Sequence, residues 1–236
     1  MTEHTVTAYD EELRALAGRV AEMGGLAETL VNDAVTALLT QDLDRAHRTI
    51  LADSRLDELQ QDVEMRLIRV IARRQPMGQD LREIMAAGRI ANDLERVGDL
   101  AKNIAKRVIA IDGDFNASKA AFGVEHMAEL AMAQLKAVID SYTGHDAEAA
   151  RSVRERDDEV DALYTSLFRE LLTYMMEDPR KITQCAHLLF CAKNLERIGD
   201  HATNIAENVY FMVTGEQLLE ERRKIDETGV TDQENA

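Results

Sequence analysis

The chain repeats itself, and no other feature restricts its fold as much. Residues 91–108 read ANDLERVGDLAKNIAKRV and residues 192–209 read AKNLERIGDHATNIAENV, an offset of 101. Eleven of the eighteen positions are identical: Ala91, Leu94, Glu95, Arg96, Gly98, Asp99, Ala101, Asn103, Ile104, Ala105 and Val108 each recur. The two prolines, Pro76 and Pro179, correspond at an offset of 103, and Asp53 and Asp57 match Asp157 and Asp161 at 104. Small insertions and deletions therefore separate the blocks. A chain of 236 residues made twice from one unit has to fold as two copies of one supersecondary structure packed together.

The unit is helical. Apolar residues recur at spacings of three and four, as in Leu56, Leu59, Val63, Leu67, Val70 and in Ile84, Leu94, Val97, Ala101, Ile104, Val108. The second half repeats the pattern with Val160, Leu163, Leu167, Leu171, Tyr174 and with Leu195, Ile198, Ala202, Ile205, Val209. Only two prolines interrupt the chain, where roughly twelve would be average. There is no Trp and the aromatic content is 4%, so the residues that favour strands are scarce. Breaks fall at residues 40–42, 75–76, 112–114, 143–146 and 178–179. Asp146 is suited to N-cap a helix, and Asp178 followed by Pro179 places a cap before a proline at the first helical position. The expectation is an all-α protein of six helices, each of roughly 25 to 35 residues. Short connections make neighbours antiparallel, so each half, 7–111 and 117–213, should be a three-helix bundle, joined at 112–116. A charged tail at 216–236, ending TGVTDQENA, is expected to be partly disordered.

With 28 Lys plus Arg against 44 Asp plus Glu, the net charge is −16. Gripping a nucleic acid would need a local basic patch within that acidic excess, so nucleic acid is not an expected partner. No apolar run approaches the roughly 20 residues that cross a bilayer, and the start MTEHTVTAYDEELRALAGRV has neither a basic leader nor an apolar core, so no direct membrane insertion is expected. Cys185 and Cys191, six apart, suit neither a local disulfide nor a CxxC site. The expected setting is the reducing cytoplasm.

Four segments carry carboxylates at i and i+4: Asp53/Asp57, Glu95/Asp99, Asp157/Asp161 and Glu196/Asp200. That spacing stacks both side chains on one helix face, where like charges cost a few tenths of a kcal/mol, of order 0.2–0.5. Each pair flanks its apolar stripe by one residue. Packing the second and third helices of a unit by their stripes would bring four carboxylates together, with Asn103 or Asn204 one turn beyond as a neutral oxygen ligand. An all-oxygen site of that kind suits hard cations such as Mg²⁺, Mn²⁺, Ca²⁺ or ferric iron. The bland alternative is a set of solvated acids neutralised by arginines such as Arg55, Arg96 and Arg197. Gly98 and Gly199 sit mid-helix, where each costs about 1 kcal/mol relative to Ala, and their recurrence points to a close approach.

Other chemistries have little support. No Glu has a His three residues later, as a di-iron bundle needs, and the six histidines form no HxxxH or HExxH. Neither phosphate-cradling glycine motif is present. The cysteines and the methionines, Met175 and Met176 included, read as core filler.

The stretches DLERVGDLAKNIAKR and YMMEDPRKI…HLLFCAKNLERIGDHATNIAENVYFMVTG resemble the PhoU family, with ERxGDxxxNI occurring twice over roughly residues 10–215. The first copy has Leu100 and Lys106 where the second has His201 and Glu207. The resemblance implies two three-helix bundles side by side. It also implies metal clusters, of iron or zinc or else of magnesium or manganese. Carried onto this sequence, the ligands would be Asp53, Asp57, Glu95 and Asp99 in one bundle and Asp157, Asp161, Glu196 and Asp200 in the other. It further implies a cytoplasmic adaptor rather than an enzyme. Its partners would be the ATPase subunit of the phosphate ABC transporter and a phosphate-sensing histidine kinase, held inactive when phosphate is plentiful. Exposed helix faces point to a homodimer. A metal-dependent phosphoester hydrolase or a metal store on the same scaffold are the competing classes.

Overall fold

A computed structural model describes residues 2–111 and 119–218; the joining segment at 112–118 and most of the charged tail lie outside the described residues. The first half comprises α1 (Thr2–Thr40), α2 (Leu43–Arg74) and α3 (Gly78–Ala110). The second comprises α4 (Lys119–Gly144), α5 (Ala147–Glu155), α6 (Asp157–Glu177), a 3₁₀ turn (Pro179–Lys181) and α7 (Ile182–Thr214). Among the described residues every regular element is helical. The protein is all-α, two tandem three-helix bundles from an internal duplication.

Local chemistry sets the ends. Asp42 caps α2 by accepting from the Arg45 amide at 2.8 Å, and Asp146 caps α5 by accepting from the Ala149 amide at 2.9 Å. Gln75 closes α2 in the left-handed region, φ 50°, directly before Pro76, which cannot continue a helix. Asp178 accepts from the Arg180 amide at 3.2 Å, so the Asp-Pro signal starts the 3₁₀ turn that leads into α7.

Within each half the helices pack on one another, and the halves join chiefly through α3 against α7, with α1 also touching α4. Arg107 lies over the Phe190 ring and Asp93 meets His201, so the α3–α7 pair is antiparallel. The apolar stripes turn inward as their spacing predicts: Leu56, Leu94, Ile104, Leu195 and Ile205 are fully buried in one continuous core that runs through both halves.

The structure corrects three expectations. First, α1 spans 39 residues, longer than the six helices were expected to be. Second, the middle helix of the second half is broken at Arg156 into α5 and α6, so the described residues hold seven α-helices. The sequence there is RERDDE; the three acids Asp157, Asp158 and Glu159 form a favourable first turn for a new helix, whose N-terminal dipole end attracts negative charge. From α4, Gln134 donates its amide to the Arg156 carbonyl at 3.0 Å and holds the break. Third, Met176 is 77% exposed on the outer face of α6, one position round from the half-buried Met175, so it fills no core.

Candidate functional site

In the first bundle, α2 and α3 bring their acid pairs to one seam. Asp53 is only 2% exposed, and its Oδ2 accepts from Lys102 Nζ at 2.6 Å. The same ammonium lies 3.6 Å from Asp99 Oδ1. At the rim, Arg96 reaches Glu95 at 3.4 Å and Asp99 at 3.6 Å. The four carboxylates feel one another. Burial, reinforced by Asp53 and Asp99, raises the Asp57 carboxyl above its ordinary value. Burial likewise raises Glu95, with Asp99, Asp57 and Asp53 adding to the effect. The hydrogen bond to Asp53 raises Lys102 and keeps it charged. Gly98 makes the seam possible. A Cβ there would stand 2.4 Å from a Leu56 methyl and 3.0 Å from Asp53 Oδ1, so glycine is what lets α2 and its deepest acid come this close.

The second seam, between α6 and α7, is drier. Asp157, Asp161 and Glu196 are all buried, with Asp200 half-buried beside them. Thr203 donates its hydroxyl to Asp157 Oδ1 at 2.9 Å. Lys193 pairs with Glu196 at 2.8 Å and lies 4.9 Å from the centre of the Tyr164 ring. Because of the break at Arg156, Asp157 is the first residue of α6, where exposed amides and the helix dipole favour its charge; Asp53 sits in mid-helix and has no such help. Gly199 is less crowded than its twin, with Gln134 Oε1 at 3.2 Å and Val160 at 3.8 Å from a Cβ placed there.

Of the arginines expected to neutralise these acids, Arg96 does so at Glu95 and Asp99, while the deepest counter-charge is a lysine. Lys102, rather than Asn103, stands against Asp53 and Asp99. Asn103 is exposed and lines a cleft against α7, while Asn204 lines a second cleft against α3. Arg55 pairs with Glu22 and Glu58 instead of the acids beside it, and Arg197 pairs with none of the acids among the described residues. Lys102 and Thr203 were legible in one respect: they occupy the same position of the duplicated block, offset by 101, and differ in charge. Burial pushes the Cys191 thiol up to about 12 and also raises Cys185, so both free cysteines are inert thiols.

The donors in both seams are oxygens only, which matches hard cations. Taking buried carboxylates out of water is costly unless positive charge meets them, and the second seam holds three such groups. The donor chemistry therefore fits a cation there. Among the described residues, however, no three Asp, Glu, His or Cys side chains converge closely enough to hold an ion as they stand.

The comparisons with known proteins agree with one another. The PhoU domain matches residues 20–108 and 124–209, one match to each half of the duplication. A phosphate-specific transport system accessory protein PhoU homolog of Rhizobium meliloti is 60% identical over 225 residues, covering 95% of this chain and 95% of that protein. One from Caulobacter vibrioides is 50% identical over 226 residues, covering 96% and 98%. The crystal structure of PhoU from Pseudomonas aeruginosa superposes with a TM-score of 0.85 at 37% identity, covering 88% of this chain and all of that one. That of the phosphate transport system regulatory protein PhoU from Streptococcus pneumoniae gives 0.82 at 28% identity, covering 89% and 99%. With both halves matched and identity sustained along nearly its whole length, the chain belongs to the PhoU family.

Proposed function

We propose that this protein is a regulatory accessory of phosphate transport, which restrains uptake and the phosphate-starvation response when phosphate is abundant. The observation that carries this reading is 60% identity, over 95% of both chains, to a phosphate-specific transport system accessory protein. The physical form is consistent with an adaptor: two rigid bundles share one core and present long helix faces, and no described helix is long and apolar enough to cross a membrane. The partners in this reading are the ATPase subunit of the phosphate ABC transporter and a phosphate-sensing histidine kinase, both met in the cytoplasm. Asp157, Asp161, Glu196 and Asp200 would hold a hard metal ion, with Asp53, Asp57, Glu95 and Asp99 a weaker second set because only one of its carboxylates is buried, against three in the other seam, and Lys102 meets that one. Such an ion would cancel repulsion along the seam; the residues themselves brace α6 on α7.

The test is alkaline phosphatase activity in the source organism grown in excess phosphate, with and without the gene. High activity only in the deletion strain, returned to the low level by the wild-type gene, is the expected result. Equal, low activity in both strains would sink the reading.

A further inference from the structure

The duplication makes two related clefts where α3 meets α7, one at each end of the antiparallel contact. The first, of about 750 Å³, is lined in part by Asn92 and Asp93 of α3 and by Glu207 and Asn208 of α7. The second, of about 490 Å³, has at the corresponding positions Lys193 and Asn194 of α7 and Lys106 and Arg107 of α3, each related by the offset of 101. Every charge difference between these four matched pairs makes the second cleft more positive. Arg197 joins it, and among the described residues no Asp or Glu lines it. In a chain of net charge −16 this is a local concentration of cations.

Those cations are available. Among the described residues Lys106, Arg107 and Arg197 have no ion-pair partner, and Lys106 and Arg197 are exposed. Lys193 directs its ammonium to Glu196 and contributes mainly its stem. The Arg107 guanidinium lies 4.3 Å from the centre of the Phe190 ring, a cation–π contact that fixes the plane of its donor fork at the cleft wall. Asn194 donates to the Phe190 carbonyl, and Asn103 adds a side-chain amide to the lining. Three cations on both walls without an ion-pair partner among the described residues, with the Asn103 amide beside them, suit a compact polyanion. Phosphate groups carry up to two charges each and match the guanidinium fork, and the concave volume is in the range of small-molecule sites, unlike the long flat surface a nucleic acid needs.

We propose that this cleft binds a small anion carrying two or more phosphate groups. The site follows from charge and shape and does not rest on the transport reading. The test titrates pyrophosphate into the full chain calorimetrically at fixed ionic strength, with orthophosphate and citrate as comparison anions. Pyrophosphate should bind tightest. The Lys106→Gln/Arg197→Gln double variant should lose at least tenfold in affinity, while Asn92→Ala, at the related position of the other cleft, should bind as wild type. Both replaced side chains are exposed and have no ion-pair partner among the described residues, so helical circular dichroism and the thermal midpoint should not move. Absence of pyrophosphate binding at millimolar concentration, tighter binding of citrate, equal binding of orthophosphate, or an unaffected double variant would each overturn the proposal. Failure here leaves the phosphatase test above untouched.

Discussion

The two acidic seams began as one sequence and solve the same electrostatic problem differently. In the first, the deepest carboxylate, Asp53, lies in the middle of an unbroken helix and is met by the Lys102 ammonium from across the seam. In the second, the helix is interrupted, Asp157 becomes the first residue of α6, and a Thr203 hydroxyl stands at the position equivalent to Lys102. The first seam thus carries its own cation at its centre. In the second, a helix start, a hydroxyl and a lysine are among the groups that meet the acids, and three carboxylates are buried instead of one. Both copies keep the acids at matching positions, while the groups that neutralise them differ.

The comparison is most exposed to failure in metal content. If the second seam is the stronger cation site, Glu196→Ala with Asp200→Ala should remove most of the bound metal, and Glu95→Ala with Asp99→Ala should remove less than half. Thr203→Lys, which places an ammonium where Lys102 stands in the twin, should also deplete the second seam. Elemental analysis of the purified variants checks all three, and equal losses from the two seams would break the asymmetry.

Stability comes next. Lys102→Met strands the buried Asp53 carboxylate and should cost about 2–3 kcal/mol, reduced from the fully buried case because Lys102 is 27% exposed. Thr203→Val removes one hydrogen bond to a carboxylate and should cost about 1–2 kcal/mol. Urea unfolding of both orders them, and a larger loss at Thr203 would reverse the assignment of roles. The glycines sharpen the contrast. Gly98→Ala presses on the fully buried Leu56, so overpacking outweighs the gain in helix propensity for a net cost of about 1–2 kcal/mol. At Gly199 the nearest atom is 3.2 Å away at the end of Gln134, and the two effects should cancel to within about 0.5 kcal/mol.

The smallest effect is on pH. Asp57 and Glu95 have carboxyls raised in the folded state, so the native protein binds their protons more tightly than the unfolded chain does. Their contribution is fully present below the ordinary carboxylate range and is lost as pH rises through the raised folded values. Glu12, Asp62 and Asp178, lowered chiefly by hydrogen bonds to Arg74, Arg66 and Arg180, run the other way and lose stability as pH falls below about 4. Asp57→Asn with Glu95→Gln should therefore stabilise at neutral pH by a few tenths, roughly 0.2–0.5 kcal/mol, and flatten the stability profile above about pH 4. An unchanged profile would show that the first seam is already fully neutralised.

Periodicity and repetition determined the helices, their pairing into two units and the placement of acids beside each apolar stripe, because those features depend on residues three, four or about a hundred positions apart in one chain. The caps at Asp42, Asp146 and Asp178 were local as well, each fixed by a side chain and an amide two or three residues on. Tertiary structure alone decided the rest. That Lys102 rather than Asn103 meets Asp53 depends on which way α3 is rotated against α2, a difference of one residue that spacing does not resolve. The break at Arg156 rests on Gln134, twenty-two positions earlier on another helix. The basic cleft exists because α3 and α7 run antiparallel, so the end of one cation-bearing block lies against the start of the other. Long-range charge compensation is a property of the packed interface, and the sequence records its members without recording which of them meet.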